Sequence, residues 1–118
     1  MPRSPWLAFV VASAASFAVW ALSPWLTGYN EPWDAPGAYY YVALLLAGAV
    51  SGFFTAKPPH RQGWAQYAGG VFGQVLYSLF FLPMGPLAAV GLIFLGLWSL
   101  LFLAGAYGGA LLRSYVPR

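Results

Sequence analysis

The sequence predicts an all-α integral membrane protein: four transmembrane helices in an antiparallel bundle, with both termini cytoplasmic. Three observations carry that expectation. First, 61% of the 118 residues are hydrophobic and only 6% are charged, against roughly 25% charged in an ordinary soluble domain. Second, four apolar runs can be drawn, Trp6–Leu26, Gly37–Ala56, Gly63–Leu82 and Leu87–Leu112, each near or above the ~20 residues that a bilayer core requires. Third, Arg3, Lys57, Arg61, Arg113 and Arg118 all fall on one side under four crossings, whereas Glu31 and Asp34 fall on the other. An odd number of crossings would scatter these charges, so their distribution also supports the count. The runs and their short connections use nearly the whole chain, which leaves one domain over residues 1–118.

Composition also excludes chemistry. With no cysteine there is no disulfide, thiolate metal site or thiol nucleophile. The net charge of +3 comes from dispersed basic residues rather than a patch, so no nucleic-acid partner is expected. A cleaved signal peptide is the alternative reading of the first run. That run is long enough to span, and Ser23-Pro24-Trp25 is a poor small-residue cleavage site.

In the first run, Ala12, Ser13, Ala14, Ala15, Ser16 and Ala18 form a small surface that lets a neighbouring backbone come close. Trp6, Trp20 and Trp25 sit toward its ends, as interface anchors would. Pro24 is expected to kink or end the helix. The following loop holds both acids, Glu31 and Asp34. Two carboxylates so placed could bind a cation or work as an acid/base pair, but Asp34 before Pro36 reads better as a cap for the second helix.

The second run opens with Tyr39-Tyr40-Tyr41, an expected aromatic belt, and carries Gly48-x-x-x-Gly52 with Ser51 and Thr55, a close-packing signature. Its basic loop, Lys57-Pro-Pro-His60-Arg61, contains the sole histidine. One histidine without a second ligand argues against a metal, and no cofactor is expected; contact with anionic lipid headgroups suits this loop better.

The third run is the organising one. At 100° per residue, Gln66, Tyr67, Gly70, Gly73, Gln74, Tyr77 and Ser78 share one half of the helix, and Ala68, Val71, Phe72, Val75, Leu79 and Leu82 share the other. In lipid the small polar half should meet protein and the greasy half acyl chains. Gln74 needs partners inside the bundle, since its amide offers two donors and an acceptor that lipid cannot satisfy. By depth these are Ser13, Ser16, Ser51, Ser78 or Ser99. Pro83-Met-Gly-Pro86 turns the chain into a fourth helix, antiparallel to the third, with Gly105, Gly108 and Gly109 near its end. Leu87–Leu112 would run ~39 Å at 1.5 Å per residue, so it should tilt or extend into the interface.

No acid, lysine, arginine or histidine lies deep in any run, which disfavours coupled transport and catalysis. No family signature is carried by any of these stretches. The expected function is therefore that of a non-catalytic multi-pass protein of the cell membrane, with a bacterial inner membrane as the expected location. It would act through helix packing, as an accessory or assembly subunit or as a homo-oligomer, with the lipid bilayer and another membrane subunit as partners. The alternative is a pore for an uncharged solute or ion lined by Gln66, Gly70, Gly73, Gln74, Tyr77 and Ser78, and Gly48 and Gly52 complete the set of packing candidates.

Overall fold

The computed structural model describes residues 5–28, 37–55, 63–81 and 88–115. It is all-helical: α1 (Pro5–Leu26), α2 (Tyr39–Thr55), α3 (Gly63–Phe81) and α4 (Ala88–Tyr115). Each helix lies close to its expected run. α4 is 28 residues long and ends at Tyr115, three residues past the expected Leu112. Two segments, Trp6–Leu26 and Val90–Tyr115, are long and apolar enough to cross a membrane. α2 is apolar but only 17 residues long, and α3 is diluted by its glutamines and glycines.

Local chemistry sets the helix ends. α1 runs through Pro24, which has no N–H to give to the carbonyl one turn back, and stops two residues later. Gly28, at φ 81°, takes the left-handed position that closes the helix, and its amide donates to the Pro24 carbonyl at 3.1 Å. At the start of α2, the Val42 amide donates to the Ala38 carbonyl at 2.9 Å, so the cap position falls at Ala38 and not at the expected Asp34. Arg3, Glu31, Asp34, Lys57, His60, Arg61, Leu82, Pro83, Pro86 and Arg118 lie outside the described residues.

The helices form a ring in the order α1, α3, α4, α2, and α2 and α3 face each other across it. Successive helices run antiparallel, as expected. The most extensive seams, however, join parallel partners, α1 with α3 and α2 with α4. The close approaches show the direction: Gly69 lies against Phe9 and Ala12, Gly73 against Ser13 and Ser16, Gly48 against Phe102, and Gly52 against Ala106. Residue numbers rise together along both seams.

Glycine makes these seams possible. A Cβ at Gly48 would overlap the Phe102 carbonyl oxygen, one at Gly52 that of Ala106, and one at Gly105 or Gly109 that of Leu45 or Ala49. The hydrogen that each Cβ would replace therefore faces a carbonyl, the arrangement of a Cα–H···O contact. On α3, Gly69 and Gly73 face α1, while the adjacent stripe Gln66, Gly70 and Gln74 faces the centre.

Candidate functional site

Gln74 sits at the centre of the ring and is wholly buried. Its Oε1 accepts from Trp20 Nε1 of α1 at 2.7 Å and from the Tyr40 hydroxyl of α2 at 2.6 Å. Its Nε2 donates to the Gly70 carbonyl one turn back at 2.8 Å and to Ser99 Oγ of α4 at 2.7 Å. Ser99 passes its own hydrogen to the Leu95 carbonyl at 2.7 Å. Both lone pairs and both amide hydrogens are used, and each of the other three helices contributes one partner. The amide's orientation is fixed, because an indole N–H can only donate and so demands the carbonyl side.

A second layer lies two turns nearer the start of α3. Gln66, 1% exposed, accepts from Ser51 Oγ at 2.6 Å and donates to Thr55 Oγ1 at 2.8 Å. Thr55 in turn donates to the Ser51 carbonyl at 2.6 Å. This layer is less complete than the first. The second Nε2 hydrogen of Gln66 meets no acceptor among the described residues, and a buried donor left so costs about 1–3 kcal/mol.

These two layers do most of the bridging between the parallel pairs. Tyr40 and Ser99 reach Gln74 from α2 and α4, and Ser51 and Thr55 reach Gln66 from α2. Outside the layers, the Tyr67 hydroxyl donates to the Gly96 carbonyl of α4 at 2.6 Å, and the Tyr39 hydroxyl to the Val19 carbonyl of α1 at 2.7 Å.

Of the residues singled out from the sequence, Gln66, Gly70, Gly73, Gln74, Gly48 and Gly52 are all buried, and Tyr77 and Ser78 are half-buried. Gly70 is filled by the Phe102 ring, and Gly73 by the Ser13 carbonyl and the Ser16 hydroxyl. Ser99 is the one expected partner whose side chain bonds the Gln74 amide. Ser13 instead donates to Phe9 O, Ser16 to Gly69 O across the α1–α3 seam, Ser51 to Gln66, and Ser78 to the backbone carbonyl of Gln74.

Two expectations for aromatic residues are corrected. Trp20 and Tyr40 do not face outward; they are 0% and 2% exposed, because Gln74 Oε1 satisfies both polar tips and the rings can then be buried. Trp6 and Trp25, by contrast, are 65% and 87% exposed. On α3, Phe72 and Leu79 point outward as expected, but Val71 and Val75 pack against the core. The buried arc of α3 is thus wider than its polar half.

Sequence reasoning missed Trp20 and Tyr40 as partners. A signal existed, since a donor-only indole and a phenol at the depth of an amide carbonyl are matched to it. Among the described residues no group of three His, Cys, Asp or Glu comes together. Arg113 is the one described residue with an ionised side chain, and its guanidinium lies 5.4 Å from the centre of the Phe53 ring. No protein-family model, no curated protein and no solved structure matches the chain.

Proposed function

We propose that this chain is a multi-pass protein of the cell membrane, with four spans and both termini cytoplasmic. It acts without catalysis, through helix packing, as an accessory or assembly subunit or as a self-associating bundle. One observation carries the membrane part of the reading: the surface is greasy on every helix while polar side chains are gathered inside, beside an apolar core. Leu22 on α1, Leu46 and Phe54 on α2, Phe72 and Phe80 on α3, and Ile93 and Leu97 on α4 are all exposed, whereas Gln66, Gln74, Ser51 and Ser99 are buried. Exposed apolar area on every helix is what a lipid solvent favours and water does not.

The glycine faces that suggested a partner in the sequence are occupied by the chain's own helices. A partner therefore has to meet side-chain surface, and Gly108, with no neighbouring atom within 4 Å, lies on an open part of α4. The test is extraction and pull-down. The protein should resist alkaline carbonate extraction and leave mild detergent as a homo-oligomer or with a stable membrane partner. A clean monomer without a partner would remove the assembly role while leaving the membrane reading in place. Topology has its own test: Arg61 and Glu31, each replaced by the only cysteine in the chain, should label from opposite compartments.

A further inference from the structure

Gln66 and Gln74 occupy one stripe of α3, two turns apart, about 12 Å at ~1.5 Å per residue. Only Gly70 stands between them on that stripe, and it offers no side chain. The space is taken by the wholly buried Phe102 of α4, whose Cδ1 would lie 2.8 Å from a Cβ at Gly70. Along the centre of the bundle the order is therefore amide with hydroxyls, aromatic ring, amide with hydroxyls.

The two polar layers differ in what they leave open. Gln74 has no free hydrogen-bonding capacity. Gln66 keeps one amide hydrogen without an acceptor, and Ser51 Oγ, which donates to Gln66, accepts from nothing among the described residues. A donor beside an acceptor, one turn inside Gly63 at the end of α3, supplies the two polar partners that a water molecule needs. Neither layer contains an ionised group. An ion stripped of water would find no opposing charge there, whereas a neutral molecule needs none.

The geometry points to a passage for small uncharged hydrogen-bonding solutes, water being the smallest, entered at the Gln66–Ser51–Thr55 layer and closed by Phe102 against Gly70. It is an activity beyond the packing role and does not depend on that role. Movement of the ring away from Gly70 joins the two layers.

Osmotic shrinkage of proteoliposomes, followed by stopped-flow light scattering, tests this. Phe102→Ala should raise water permeability several-fold above both the wild type and Leu95→Ala, which opens a cavity at another buried site on α4. Adding Gln66→Leu to Phe102→Ala should remove the gain. Equal permeability of Phe102→Ala and Leu95→Ala overturns the proposal. A second measurement leaves the gate intact. Because the chain has no cysteine, Ser51→Cys and Ser99→Cys each carry a single thiol. A small water-soluble methanethiosulfonate should modify Ser51→Cys faster than Ser99→Cys. No reaction at position 51, or equal rates at the two positions, overturns it as well.

Discussion

The seams inside the two parallel pairs and the plane between the pairs are built from different materials. Inside a pair, backbone meets backbone: Gly48 and Gly52 against α4, Gly105 and Gly109 against α2, Gly69 and Gly73 against α1. Between pairs, side chains meet side chains or carbonyls through Gln66, Gln74, Tyr67 and their partners. The first kind of contact tolerates no added atom, because a carbonyl cannot step aside without moving its helix. The second kind can exchange partners, because amides, hydroxyls and water are interchangeable hydrogen-bonding groups. The seams give each pair its rigidity, and the plane is where the molecule can open.

The largest effect that would sharpen this comparison is expected at a seam. Gly73→Leu drives four carbons into the Ser13 carbonyl and the Ser16 hydroxyl, and should destabilise the protein at or beyond the upper end of the usual overpacking cost of about 1–3 kcal/mol. Phe72→Leu, beside it but exposed, should change little. Equal thermal stability of the two variants in detergent would contradict the seam.

In the plane, Gln74→Leu strips the acceptor from Trp20 and Tyr40 together and should cost about 2 kcal/mol, within the range for buried polar groups that lose a partner. Gln66→Leu should cost roughly half as much, since that amide makes fewer bonds and already leaves a donor unmet. Denaturant titration of the two variants would reverse the assignment of the layers if Gln66→Leu proved the worse. A Gln74→Leu protein should also show slightly blue-shifted tryptophan emission, because buried Trp20 exchanges a hydrogen-bonded amide for an apolar side chain.

The smallest difference is expected between two glycines on α4. At Gly105 an added methyl would overlap the Leu45 carbonyl, whereas at Gly108 it would meet nothing within 4 Å. Gly105→Ala should therefore lose stability, while Gly108→Ala should gain up to about 1 kcal/mol from helix propensity. Melting temperatures moving in the same direction would mean that the α2–α4 seam is looser than its geometry implies.

Much of the site could be read in advance on α3, since a 100° rotation per residue already puts Gln66, Gly70 and Gln74 on one stripe. Partner choice was less legible. Ser13, Ser16 and Ser51 lie at suitable depths for Gln74, but depth is one coordinate, and the bond also depends on which helix stands beside which. Trp20 was read as an interface anchor because a lone indole in an apolar run has that as its commonest use. Its burial rests on an amide oxygen more than fifty positions away.

The sequence by itself determined the helices, their approximate ends and the small polar stripe on α3, because run length, proline, glycine and helical periodicity act over a few residues. Only the tertiary structure decided that α1 pairs with α3 and α2 with α4, that the glycine faces are filled from within, and that Phe102 separates two unequal polar layers. Small residues specify how closely two backbones can meet, not which two, and that choice is settled only when all the helices compete at once for the same carbonyls.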